Sequence, residues 1–193
     1  RLIANFTKSA KLGAIAPGIY NFMMTAPLLS NNIKRFCGFA VQRSMPALHK
    51  VTLRNWFGKH RALAKGRLSS INGKVFLFCD EFTNYNDTEI GQKAILLLEK
   101  LGYEVVIPKH EESGRTWLSK GLIREAKKIA NKNIEALSKV VSADTPLIGI
   151  EPSAILTFRD EYIDLADDEN FDRAKALAKN VFLIDEFIAA RET

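Results

Sequence analysis

The sequence predicts an α/β protein, a parallel, doubly wound (Rossmann-like) sheet preceded by a helical N-terminal segment. Three observations lead there. From Lys74 onward, short apolar runs alternate with longer amphipathic stretches in the order strand, helix, strand, helix, strand, helix. Before that point, apolar residues recur at helical spacing between Pro17, Pro27 and Pro46. The 193 residues, 47% apolar with a mean hydropathy of −0.08, bound one sizeable domain plus an appendage.

In the N-terminal segment Leu2, Ile3, Phe6, Ala10 and Ile15 lie near helical spacing, as do Leu28, Leu29, Ile33 and Phe36. The stretch from His60 to Asn72 holds Gly66, Ser69 and Ser70 among basic residues and reads as a linker. Residues 1–71 are therefore expected to form a basic helical linker or docking segment, and 72–193 an α/β domain with C-terminal helices. Lys74–Cys79 is an apolar run behind Asn72-Gly73, the pattern of a buried strand. Asn86 and Glu89 have capping-box spacing and open a helix whose face is Ile90, Ala94, Leu97, Leu98 and Leu101. Gly102 ends it, and Tyr103–Ile107 is the next strand, stopped by Pro108. After a loop over Lys109–Thr116, one long helix is expected to about Ser142, then a strand at Leu147–Ile150. Pro152 suits the first turn of a further helix carrying Ile155, Leu156 and Phe158. Phe171 to about Arg191 reads as one or two amphipathic helices.

Charge is divided unevenly along the chain. The stretch Arg1–Lys74 carries thirteen Lys and Arg and no acid, and the first acid is Asp80. Beyond it, fifteen basic residues stand against twenty-two acidic ones. An acid-free basic stretch is compatible with nucleic acid or an anionic membrane. Because its bases are scattered singly, docking on an acidic protein face is the preferred reading, and no nucleic-acid partner is favoured. Cys37 and Cys79 give neither a disulfide framework nor a CxxC pair, and His49, His60 and His110 lack metal-ligand spacing. Leu12–Ile33 is uncharged, but Pro17, Pro27 and three asparagines interrupt it, so a pair of short helices is expected rather than a membrane span. The chain opens on Arg1, so it is read as a segment of a longer protein, with a cytoplasmic location.

Loops at the carboxyl ends of parallel strands build the site in such sheets, and the residues there carry a resemblance. Glu112-Ser-Gly-Arg115, followed by Leu118-Ser-Lys-Gly-Leu122, is similar to a Cys-Cys-Gly-Arg-Pro-Leu segment. Gly149-Ile-Glu-Pro-Ser-Ala154 and Arg159-Asp-Glu-Tyr162 resemble a Gly-Leu-Glu-Pro-Ser-Cys segment and its sequel. Leu101–Pro108 and the loop around Asp80–Asn84 match at consistent spacing. Together these resemble the cysteine-rich (CCG) domain of FAD-linked and iron–sulfur oxidoreductases. That domain occurs in iron–sulfur subunits of glycolate oxidase and anaerobic glycerol-3-phosphate dehydrogenase, and in heterodisulfide reductase. The resemblance implies a parent protein with FAD and [4Fe-4S] clusters, acting on a D-2-hydroxy acid such as D-lactate, glycolate or D-2-hydroxyglutarate. Its FAD-binding and ferredoxin-like parts would be this segment's partners, with electron transfer, and peripheral contact with a membrane or quinone, as properties of the whole. The departures are at the ligands. Glu112, Ser113, Gly114 and Ala154 occupy the cluster-site positions, and without thiolates no cofactor is expected in this segment.

The remaining crevice residues are Asp80, Arg115, Pro152 and Ser153. Arg115 serves either as an anion-binding group or as the partner of Glu151, Asp160 or Glu161. Glu112 is read mainly as a surface carboxylate near Lys120 or His110. Ser153 is read as a helix-start hydroxyl rather than a nucleophile, since no GxSxG elbow is present, and Cys79 as a packed, inert thiol. Two other functions fit the same residues: a small-anion-binding module built on these loops, and a nucleic-acid binder using the basic N-terminal third.

Overall fold

The computed structural model of the chain describes residues 4–64 and 72–191. The expected boundary near residue 71, and positions Leu2 and Ile3, lie outside the described residues. Four helices come first: α1 (Phe6–Gly13), α2 (Pro17–Thr25), α3 (Pro27–Cys37) and α4 (Leu53–Ala64). Pro17 and Pro27 each take a first-turn position, where a missing N–H leaves no helical bond unmade. The α/β body follows in the order β1 (Lys74–Leu77), α5 (Glu81–Tyr85), α6 (Thr88–Lys100), β2 (Glu104–Val106), α7 (Arg115–Leu118) and α8 (Ile123–Leu137). It continues through β3 (Leu147–Gly149), α9 (Pro152–Ile155), α10 (Glu161–Leu165), α11 (Phe171–Ala178), β4 (Val181–Leu183) and α12 (Ile184–Ala189). No described helix is long and apolar enough to cross a membrane.

All four strands are parallel, in the order β2-β1-β3-β4, which bears out the predicted fold class. Side chains alternate between two cores, as the strand period of two requires. Phe76 and Phe78 of the first strand run face one side with Leu147, Ala130, Ile134 and Leu137. Val75, Leu77 and Cys79 face the other with Leu53, Ile95, Leu98 and Ile148. The crossover helix α6 therefore covers one face and α8 the opposite one. Because β2 and β3 lie on either side of β1, the connections diverge at the carboxyl ends of β1 and β3, the place where such sheets open a crevice. Helix α4 belongs to this body as well, since Leu53 and Phe57 are buried in the second core.

Several elements differ from expectation. The long helix after residue 116 is two: the chain turns at Gly121, whose φ of 68° no helix continues, and Leu122 N–H returns to the Trp117 carbonyl. The C-terminal stretch holds a fourth strand, because three residues of Val181–Leu183 pair with β3 before the helix resumes. On α6 the buried stripe is Gly91, Ala94, Ile95 and Leu98, while Ile90, Leu97 and Leu101 are exposed. Leu53 of α4 packs against Ile95 and Leu98, which draws that stripe inward. The capping box at Asn86 does not form; Asp87 precedes α6 without a side-chain cap, and Asn86 Nδ2 donates to the Ala47 carbonyl at 2.7 Å.

At the end of β3 the backbone passes so close to α9 that a Cβ on Gly149 would lie 2.3 Å from Ile155 Cβ, a branched atom fixed to the helix. Gly149→Ala should therefore destabilise the protein by about 2 kcal/mol through overpacking, read as a lowered midpoint in urea unfolding; an unchanged midpoint would contradict the placement of α9.

Candidate functional site: the carboxyl ends of the strands

The loop after β1 begins with two acids that the fold buries. Asp80 caps α5: its Oδ1 accepts from the backbone N–H groups of Phe82 and Thr83, both at 2.9 Å, and its Oδ2 from Thr83 Oγ1 at 2.5 Å. Burial, partly offset by those bonds, raises its pKa, and neighbouring Glu151 adds to the rise. Glu81, the next residue, points across to the loop after β2. Its Oε2 accepts the Ser113 N–H at 2.9 Å and its Oε1 the Ser113 hydroxyl at 2.7 Å. Glu81 is 3% exposed and Ser113 fully buried. Burial pushes the Glu81 carboxyl up to about 7 despite the two bonds from Ser113 that favour its charged form.

Ser113 is the hub of a wider network. Its carbonyl accepts the Tyr162 hydroxyl at 2.9 Å, and its Oγ accepts the Arg115 N–H at 3.1 Å. Asn133 of α8 donates to Tyr162 and to the Glu112 carbonyl, and accepts from the Glu111 N–H. Tyr162 is buried, which raises its phenol pKa. An aromatic row of His110, Phe78, Phe158 and Tyr162, with successive centroids 4.3, 4.9 and 4.3 Å apart, joins the β2 loop to α10 beneath the end of β1. Ala154 lies in the same apolar cluster as Phe158 and Tyr162. Tyr162 thus links the β2 loop to the apolar cluster that holds Ala154.

The other residues expected at the site fall as follows. Gly114 takes the left-handed conformation and caps α7. Arg115 donates to Glu161 at 2.6 Å, one of the three partners considered for it. Glu112 is half-buried rather than on the surface, accepting from Thr7 Oγ1 of α1 and from Trp117 Nε1. Pro152 opens α9, but Glu151 supplies its cap: the Ser153 hydroxyl donates to Glu151 Oε1 at 2.7 Å instead of serving a backbone N–H itself. His110 Nδ1 donates to the Glu111 carbonyl, while Nε2 accepts from the Cys79 N–H and from Arg54. Burial, then the Arg54 charge, lowers its pKa to about 3, so the ring is neutral. Sequence reasoning does not single out Glu81, Asn133 or Tyr162 as site residues. Their nearest signal is an acid directly after a buried strand and a tyrosine closing the Arg-Asp-Glu-Tyr run.

Two cavities flank the network. A polar one of about 180 Å³ is lined by residues including Lys11, Arg54, Cys79, Glu81, His110 and Glu112. An apolar one of about 820 Å³ separates the N-terminal helices from α5 and α7, with Phe6, Tyr20, Met24, Phe39, Met45 and Phe82 among its walls.

These side chains do not fit an iron–sulfur cluster. Glu112 and Ser113 are committed to protein partners, Ala154 has no ligand atom, and the nearby thiol of Cys79 is buried with its pKa pushed up to about 12 by burial. Among the described residues no group of three or more His, Cys, Asp or Glu side chains is placed to hold a metal ion.

The chain is 28% identical over 194 residues to a D-2-hydroxyglutarate dehydrogenase of Pantoea ananatis (strain AJ13355), covering 97% of this chain and 18% of that protein. It is 27% identical over 196 residues to the D-2-hydroxyglutarate dehydrogenase of Escherichia coli (strain K12), covering 98% of this chain and 18% of that one. One of the subunits of the anaerobic glycerol-3-phosphate dehydrogenase of E. coli K12 is 26% identical over 131 residues, 67% of this chain and 32% of that polypeptide. These relatives bear out the likeness to FAD-linked and iron–sulfur oxidoreductases read from the sequence. The chain spans about a fifth of the length of the dehydrogenases it matches. No family model matches it, and no solved structure does.

The Glu81 pairing has a measurable sign. A carboxyl whose folded pKa is near 7, against an ordinary value of 4.5, holds its proton more tightly in the folded protein. Its contribution to stability is full below about pH 4.5 and is lost as pH rises through 7, about 3 kcal/mol in all. His110, with its folded pKa below the ordinary one, works in the opposite sense over pH 3 to 6.5. The difference between wild type and Glu81→Gln cancels the histidine. That difference, from urea unfolding, should shift by about 3 kcal/mol against wild type between pH 4.5 and 8; a pH-independent difference would show that Glu81 titrates normally.

Proposed function

We propose that these residues form a module of a flavin-linked, iron–sulfur dehydrogenase of D-2-hydroxy acids, in which the module carries no cluster of its own and serves as a structural and docking element. The observation that carries this reading is the match to D-2-hydroxyglutarate dehydrogenases over 97% of the chain, within proteins more than five times longer. The site supports the second half of the reading. Where the resemblance places cluster ligands, Glu81, Ser113, Tyr162 and Asn133 form a closed set of hydrogen bonds that holds the β1 and β2 loops to α8 and α10. FAD and the clusters would supply hydride and electron chemistry in the remainder of the dehydrogenase. The residues of the crevice bind no reacting atom in this reading; they fix the loops. A small-anion receptor at Arg115 and Ser153 gains no support, because both side chains already donate to carboxylates, Glu161 and Glu151.

Two measurements test the proposal. The full-length product of the gene that carries this sequence should reduce an artificial electron acceptor with D-2-hydroxyglutarate, D-lactate or glycolate; no turnover with any of the three would overturn the assignment. Anaerobic incubation of the 193-residue chain with iron and sulfide should leave no stable visible chromophore. A bound cluster would overturn the structural role.

A further inference from the structure

We infer that the outward face of α2 and α3 is a docking surface for the remainder of a longer dehydrogenase chain, a contact that rests on the module reading above. The observation behind it is that α3 packs with the wrong side inward. Its buried residues are Ser30 and Lys34, at 3% and 6% exposure, while Leu28 and Phe36 stand 85% and 93% exposed. The buried side is poorly served: Ser30 Oγ has no hydrogen-bond partner, and Lys34 Nζ reaches one backbone carbonyl, Val41, at 3.3 Å. A helix that turns a lysine in and a phenylalanine out gains nothing from this arrangement unless the outer side is also covered. Helix α2, packed against α3, likewise leaves Ile19 and Phe22 about two-thirds exposed. Together they make an exposed apolar surface of the kind that marks an interaction site.

The occupant follows from charge and from chain length. No acid occurs before Asp80, and α3 carries the exposed Arg35 directly beside Phe36. A second copy would set like charges against each other. An anionic bilayer is poorly matched too, because α2 has no basic residue and α3 presents only Arg35 outward, whereas interfacial helices pair their apolar face with several bases. What the matching dehydrogenases do have is a further four-fifths of their length in the same polypeptide. A neighbouring part of that chain meets this surface at high effective concentration, so an apolar contact suffices.

The test uses the full-length gene product in a Cys37→Ser background, with single cysteines introduced as Leu28→Cys or Phe36→Cys and Lys139→Cys as an exposed control. Maleimide should label positions 28 and 36 at least about tenfold more slowly than 139, independent of protein concentration and of added vesicles containing phosphatidylserine. Equal rates at all three positions would overturn the docking surface. So would slowing seen only with vesicles, which would assign the face to a membrane, or only at high protein concentration, which would assign it to a second copy. A gene product no longer than these 193 residues would instead sink the module reading itself.

Discussion

A backbone N–H cannot be removed from water without a partner except at a cost of roughly 1–3 kcal/mol, and the loop after β2 places several such groups in the interior. The Glu81 carboxyl solves this for Ser113, accepting both its N–H and its hydroxyl. The solution is constrained in turn, because a carboxylate withdrawn from water is itself destabilised unless it is protonated or well bonded. The raised Glu81 pKa expresses that conflict directly. Neither residue is satisfied without the other, so the loops after β1 and β2 are fixed relative to one another.

The rest of the crevice is arranged around that pair. Asp80 spends its oxygens on its own helix and so aims α5, which carries Glu81 in its first turn. Tyr162 donates to the Ser113 carbonyl, and its ring, tilted against Phe158, lies in the same apolar cluster as Ala154. Asn133 then satisfies the backbone of Glu111 and Glu112 from α8. Hydrogen bonds from α5, α8 and α10 thus converge on the loop after β2. Of the two acids, Asp80 is bonded wholly within its own loop, whereas Glu81 also lines the polar cavity with Arg54 and His110.

What is legible in the sequence depends on the length of the signal. The strand at Lys74 and the helix at 88–100 are long or strongly apolar, and both can be read from period and punctuation. The strand Val181–Leu183 cannot, because three apolar residues flanked by helical spacing fit either period, and only pairing with Leu147–Gly149 decides between them. The buried stripe of α6 departs by one step from its expected place for a similar reason. Leucines at 97 and 101 compete equally with Ile95 and Leu98 until α4 chooses a side. At the site, motif spacing locates Ser113, Arg115 and Ala154, but Glu81 is invisible as a partner. Its role comes from a loop thirty-two residues away, and nothing local distinguishes a buried acid after a strand from a solvated one.

Helix α3 carries the same lesson in reverse. Read alone, Leu28, Leu29, Ile33 and Phe36 mark an inward face, and the structure turns two of the four almost wholly outward. Hydrophobic period alone does not say which side of a helix the fold covers. In the α/β body the two agree, because the sheet supplies both the cover and the core. In the N-terminal helices they disagree, and the disagreement falls in the acid-free stretch whose charge balance also departs most from the body. Patterning and charge are independent properties of the sequence. Both single out the same segment of the chain.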